Sequence, residues 1–93
     1  MINKNIVRIR SKLDKLDNAF LSLIKKRTKL VDQILLNKRF KKDIIDRKRI
    51  SMILRVIAKK SKNKKIDPII TKKIWSSMIK AYVDYEFRNF NKK

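Results

Sequence analysis

Histidine, cysteine and glycine are absent from this 93-residue chain, and proline occurs once. Without histidine or cysteine, the chain has no imidazole or thiol nucleophile, no zinc site of the usual kind and no disulfide. Without glycine, it has neither a P-loop nor a dinucleotide-binding fingerprint. Carboxylates for a metal site are also few, with 8 Asp and Glu in total. We therefore expect no metal and no cofactor, and an enzyme of this composition would work through cations and preorganisation.

The basic side chains outnumber the acidic ones by a wide margin. There are 28 Lys and Arg, which give a formal net charge of +20. Such a charge is typical of proteins that bind nucleic acid or an anionic membrane surface. Mutational drift in an AT-rich genome is the competing explanation, because lysine predominates over arginine and isoleucine and asparagine are abundant. In that background a retained arginine is more informative than a lysine.

The apolar segments are short. None approaches the roughly 18–20 residues of a membrane span, and the N-terminus lacks the apolar stretch of a signal peptide. We expect a cytoplasmic protein with no membrane partner.

The scarcity of glycine and proline favours helices. Apolar residues spaced alternately by three and four predict a first helix from about Asn3 to about Arg39, roughly 50 Å long. Its coiled-coil-like seam consists of Ile6, Ile9, Leu13, Leu16, Phe20, Leu23, Leu30 and Ile34.

Two further helices follow a short polar link at Lys41–Asp43. The buried face of the second helix is predicted to carry Ile50, Ile53, Leu54 and Ile57, and the basic run Lys59–Lys65 is predicted to be a loop. Asp67 and Pro68 have the residue types of an N-cap and a first helical position, so they should open the third helix. Its predicted stripe is Thr71, Ile74, Trp75, Met78, Ile79, Tyr82, Glu86 and Phe90. We see no internal repeat and expect a single domain over residues 1–93.

The predicted first helix is too long for a compact monomer of this size, whose radius of gyration would be near 12–13 Å. A partner helix from a second copy would cover its seam. We therefore predict an intertwined homodimer of three-helix subunits. The alternative is a first helix broken near Asn18, which would give a four-helix monomer.

Charged residues interrupt these apolar stripes. Arg27 replaces an apolar residue in the seam, and burying a guanidinium requires an anion. On a continuous helix Lys38 would point the same way as Arg27, whereas Arg10 is rotated from that line and would have to reach a partner subunit's site. Arg47 and Arg49 flank the apolar face of the second helix, and periodicity does not choose between them. Glu86, the only Glu, falls on the third stripe, either as a charge partner of Arg27 or Lys38 or as a carboxyl facing a ligand oxygen.

Together these residues describe a pocket for a small dianion, since a guanidinium fork matches a carboxylate bidentately. The chain resembles the small all-helical (type II) chorismate mutases and the related isochorismate-pyruvate lyases from about Ile6 to about Phe90. The resemblance rests on Ile9-Arg10, Leu13-Asp14-Lys15-Leu16-Asp17, Lys26-Arg27, Lys38, Arg49, Ile74-Trp75-Ser76-Ser77-Met78-Ile79 and Tyr85-Glu86.

The resemblance implies that Arg10 crosses from the other subunit and, with Arg27, binds a substrate carboxylate. Arg49 would help hold the second carboxylate. Lys38 would donate to the ether oxygen of the breaking bond, and Glu86 would lie near the same oxygen. A Glu must be protonated to donate there, so activity is expected to fall as pH rises.

The sequence departs from the mutase pattern at two positions. Ile50 follows Arg49 where mutases usually have a Glu that contacts the ring hydroxyl, and Tyr82 is bulkier than the small residue common at its position. We predict that Ile50 and Tyr82 both contact the substrate. The prediction is a chorismate mutase of aromatic amino acid biosynthesis, with an isochorismate-pyruvate lyase as the alternative. A catalytically inactive family member and a basic nucleic-acid-binding helical protein are the remaining alternatives, and no specific nucleic-acid partner is expected.

Overall fold

A computed structural model describes residues 3–92. Within that range the chain is helical and has no strand, which confirms the prediction of an all-α fold with three helices and a long first one. The helices are α1 (Lys4–Leu36), α2 (Arg47–Asn63) and α3 (Pro68–Asn89), with short 3₁₀ turns at Lys41–Asp43 and Phe90–Lys92.

Helix α1 is continuous, so the alternative of a break near Asn18 is wrong. It ends at Leu36 and not at Arg39 as predicted. The amides of Asn37 and Lys38 each bond to the carbonyl three residues earlier, at 3.0 and 3.1 Å, which is the 3₁₀-type tightening that closes many helices. Lys38 therefore lies beyond the helix, and the helical phase that was expected to align it with Arg27 does not apply.

The turn between α2 and α3 is shorter than predicted, because α2 continues through most of the basic run to Asn63. The amide of Lys65 bonds to the carbonyl of Lys62 at 3.2 Å, and the amide of Ile66 bonds to the carbonyl of Ser61 at 2.8 Å. This pair of bonds is a Schellman motif, whose central residue must be left-handed. Lys65 takes that conformation, with φ 57°, at a position where glycine is usual but which no glycine can fill in this chain.

Carboxylates cap the starts of α2 and α3. Asp67 accepts the amide of Ile69 at 2.9 Å, and Pro68 follows as the first helical residue, which confirms the predicted start of α3. Asp46 accepts the amide of Arg49 at 3.0 Å in the same way. Each cap satisfies an amide that has no partner within its helix.

The chain divides into two compact units, Met1–Gln33 and Ile34–Lys93. The single domain predicted over 1–93 remains a prediction, and residues 1, 2 and 93 lie outside the described part. The described residues of the first unit belong almost entirely to α1, and the apolar seam residues predicted there are 45–60 % exposed. The first unit therefore leaves its seam uncovered within one chain.

In the second unit α2 packs against α3. Leu35 and Ile44 are buried, and the hydroxyls of Ser61 and Thr71 lie 2.7 Å apart between the two helices. The predicted face of α2 is half-buried, and the α3 stripe is buried or half-buried except for Ile74, which is exposed. Among the described residues, no helix is long and apolar enough to cross a membrane.

Candidate active site

Lys38 and Glu86 form an ion pair in the second unit. The Nζ atom of Lys38 donates to Oε1 of Glu86 at 3.0 Å, and their side chains are 18 % and 8 % exposed. The two residues are separated by 48 positions in sequence. Because both groups are largely removed from water, their attraction is stronger than that of a surface pair, and each is costly to leave alone. In this geometry Glu86 acts as an acceptor.

Lys38 belongs to the linker between α1 and α2, and its ammonium also contacts the backbone of that linker. Its Nζ donates to the carbonyl oxygen of Ile44 at 3.3 Å. The buried side chain of Ile44 anchors this carbonyl. One residue earlier, Asp43 closes the 3₁₀ turn, because its Oδ2 accepts the amide of Phe40 at 3.2 Å. The ammonium of Lys38 is thus held by an acid on α3 and by a carbonyl of its own linker.

Tyr82 lies one turn before Glu86 on α3 and is half-buried. Its ring packs edge-on against that of Tyr85, with centroids 6.3 Å apart and an interplanar angle of 84°. The guanidinium carbon of Arg88 lies 6.0 Å from the centre of the Tyr85 ring. These contacts join the two rings in the edge-to-face arrangement that aromatic pairs prefer, in the turn of α3 that precedes Glu86.

The first turn of α2 carries both candidate arginines, and both are exposed. Arg49 Nη1 lies 3.9 Å from the sulfur of Met52, and the amide of Arg49 is engaged by the Asp46 cap. Ile50, the next residue, is half-buried and presents no polar group. Exposure alone does not separate Arg47 from Arg49.

Arg10 and Arg27 lie on α1 in the first unit, and both are exposed within the single chain. Seventeen residues of helix separate them, which corresponds to about 25 Å along the axis. Two arginine side chains from one chain therefore do not meet at one carboxylate. The expectation that Arg27 is buried is not met within the single chain, where the residue is exposed.

Of the predicted site residues, the structure brings Lys38 and Glu86 into contact. Sequence reasoning missed the carbonyl of Ile44 as a second contact of Lys38, and it missed the bond by which the carboxylate of Asp43 closes the neighbouring turn. The only sequence signal was the polar link at Lys41–Asp43, which predicts a turn but not which backbone oxygen a lysine reaches. Among the described residues no three acidic side chains cluster as metal ligands.

A cavity of about 280 Å³ lies between α2 and α3. Apolar side chains form most of its wall, and two cations lie at its edge. None of the predicted site residues lines this cavity, so it is separate from the Lys38–Glu86 pair. Its lining comprises Leu54, Arg55, Ile57, Ala58, Pro68 and Lys72.

The fold and these residues define an all-helical protein that combines a desolvated lysine–glutamate pair with several arginines and contains no nucleophilic histidine or cysteine. The family model described as chorismate mutase type II matches residues 9–87, so the chain belongs to that enzyme family, whose members are isomerases that act on a small molecule. No curated protein matches the chain, and no solved structure matches it.

Proposed function

We propose that this chain converts chorismate to prephenate by a pericyclic rearrangement without a covalent intermediate. The observation that carries the proposal is the ion pair of Lys38 and Glu86 at 3.0 Å, within a segment that matches the chorismate mutase type II family. The reaction requires a compact substrate conformer and stabilisation of charge on the ether oxygen. It needs no general base, which suits a chain without histidine or cysteine.

Lys38 is the proposed donor to the ether oxygen. A preorganised ammonium in a largely dry site stabilises developing negative charge more strongly than water does. Glu86 lies beside this ammonium, where it accepts from Lys38 and fixes its direction. Arg27 binds one substrate carboxylate and Arg49 binds the second.

Arg10 completes the site from a second copy of the chain in this proposal. The separation of about 25 Å along α1 prevents Arg10 from joining Arg27 within one chain. The seam of α1, 45–60 % exposed over Ile6–Ile34, supports an intertwined homodimer because covering it removes apolar surface from water. Each such Leu, Ile or Phe contributes about 1 kcal/mol when the exposed half is buried.

An isochorismate-pyruvate lyase is the second candidate, and Ile50 is the observation that favours it. Ile50 is half-buried beside Arg49 and offers no carboxylate to a ring hydroxyl. Tyr82, whose ring packs edge-on against Tyr85, is also bulkier than the small residue common at this position in mutases. The lyase reaction is pericyclic as well and uses the same cations, so these two positions, and not the cations, separate the candidates.

The deciding experiment incubates the purified protein with chorismate and, in parallel, with isochorismate, and separates the products by chromatography. Prephenate from chorismate establishes the mutase and makes Ile50 a tolerated departure. Pyruvate and salicylate from isochorismate, with little prephenate, establish the lyase. If neither substrate is consumed, the proposal is wrong, and binding to nucleic acid across a salt series tests the remaining alternative.

A complementation experiment tests the contribution of Arg10 across the dimer. The Arg10→Ala and Arg27→Ala chains are each expected to be inactive. Unfolded together in equal amounts and refolded, they form half heterodimers, each with one intact site of two, so about a quarter of wild-type activity returns. If the mixture stays inactive while affinity chromatography on a tag carried by one variant also retains the other, Arg10 does not act in the partner's site.

A further inference from the structure

The backbone of the linker between α1 and α2 accepts a hydrogen bond from Lys38, the proposed donor to the ether oxygen. Lys38 Nζ folds back across the linker to the carbonyl of Ile44, six residues later, at 3.3 Å. The same nitrogen donates to Glu86 at 3.0 Å. The direction of the ammonium therefore depends on the Glu86 carboxylate and also on how the linker is folded.

We propose that Asp43 is a positioning residue that holds the Ile44 carbonyl in place and thereby orients the ammonium of Lys38. This inference rests on the proposed function, in which Lys38 donates to the ether oxygen. Asp43 itself touches neither Lys38 nor Glu86 in any contact described above. It acts through the turn that it closes.

Two reciprocal bonds close that turn. The Asp43 carboxylate accepts the amide of Phe40 at 3.2 Å, and the amide of Asp43 donates to the carbonyl of Phe40 at 3.0 Å. Ile44 follows directly, with its amide bonded to the carbonyl of Lys41 at 3.1 Å and its side chain 3 % exposed. The turn fixes the peptide that precedes Ile44, and the buried side chain fixes the α-carbon of Ile44, so the carbonyl that follows that α-carbon is restricted in direction.

Loss of the Asp43 carboxylate removes a bond from the turn without altering the buried contacts of Ile44. The linker is polar and exposed around Lys41–Asp43, so the turn then samples other conformations and the carbonyl leaves Lys38 for part of the time. The transition state loses a well-oriented donor, whereas substrate binding by the arginines is retained. A loss equal to one hydrogen bond corresponds to about a fivefold to tenfold decrease in kcat.

The kinetic test compares three variants of the full chain. Asp43→Ala is expected to lower kcat about fivefold to tenfold with KM within about twofold of wild type, and Asp43→Asn, which keeps an acceptor oxygen, is expected to restore kcat. Asp67→Ala is the matched control, because it also removes a carboxylate that accepts a backbone amide, at the start of α3. It should lower thermal stability comparably and leave kcat unchanged.

A second readout is independent of catalysis. Correlation spectra of ¹⁵N-labelled lysine ammonium groups detect an ammonium whose protons exchange slowly, as in a hydrogen-bonded and shielded Lys38. The signal is assigned by its loss in Lys38→Gln. It should broaden in Asp43→Ala and persist in Asp67→Ala.

The inference is overturned if Asp43→Ala retains both kcat and the Lys38 signal, or if kcat falls while that signal is unchanged. Should the wild type turn over neither chorismate nor isochorismate, the proposed function fails by itself. The ammonium spectra then still decide whether Asp43 positions Lys38.

Discussion

Replacing Lys38 by methionine should destabilise the fold strongly, because it leaves the Glu86 carboxylate buried without its cation. The Glu86 side chain is 8 % exposed, and its carboxylate accepts from Lys38 Nζ at 3.0 Å. Breaking a buried pair by removal of one partner costs about 3–5 kcal/mol. The lower figure applies here, since the Lys38 side chain retains 18 % of its exposure and water can reach the vacated space.

A double-mutant cycle separates the pair from its surroundings. Lys38→Met should cost about 3 kcal/mol and Glu86→Met about 2 kcal/mol, the latter less because the ammonium keeps the carbonyl of Ile44. The double variant should cost about 2 kcal/mol, since it leaves no buried charge but deprives that carbonyl of its donor. The coupling energy is then about 3 kcal/mol, the difference between the summed single losses of about 5 and the double loss of about 2.

Urea unfolding measures these free energies, followed by far-ultraviolet circular dichroism and by the fluorescence of the single tryptophan, Trp75. All variants are compared at one protein concentration, because association of chains would make stability depend on it. Lys59→Met is the matched control, since this exposed lysine of α2 should shift stability by less than about 0.5 kcal/mol. If Lys38→Met is as mild as the control, the ion pair is solvated and the reasoning about its burial fails.

Three further outcomes are expected. Lys65→Gly should raise the free energy of unfolding by about 1 kcal/mol, because the left-handed backbone at φ 57° disfavours a residue with a side chain. The control Lys64→Gly, at φ −90°, should lower that free energy, so the melting temperatures of the two variants should shift in opposite directions. Arg27→Ala should abolish turnover while the circular dichroism spectrum stays helical; surviving activity would place the carboxylate site elsewhere. Glu86→Gln should retain turnover, since the amide keeps an acceptor oxygen for Lys38 and adds a donor; a loss of turnover in the product assay would show that the charge of Glu86 is required beside Lys38.

Periodicity predicted the helices well because it reports local geometry. A side chain repeats its direction every 3.6 residues, so the half-buried face of α2, from Ile50 to Ile57, could be identified without knowing its neighbour. The start of α3 was equally local, since Asp67 and Pro68 satisfy the requirements of the first turn by themselves. The ends of α1 and α2 were predicted less well.

Helix ends depend on competition between carbonyl partners that a pattern does not show. The basic run after Lys59 looked like a loop because of its charge, yet lysine is a good helix former and α2 continues to Asn63. The Schellman bonds then stop the helix and impose a left-handed backbone on Lys65. No residue type announced this stop, since the usual signal is glycine and the chain has none.

The amino-acid sequence by itself determined the helical class and the apolar stripes of α2 and α3, because each follows from residue type and spacing along one element, whereas the cations of the candidate site remain predictions. Only the tertiary structure decided that Lys38 leaves α1, meets Glu86 across 48 positions and also donates to the carbonyl of Ile44. A stripe states which way a side chain points on its own helix. Which group it meets depends on how α3 packs beside the linker, and that packing is set by the burial of residues such as Leu35 and Ile44, far from Glu86 in sequence.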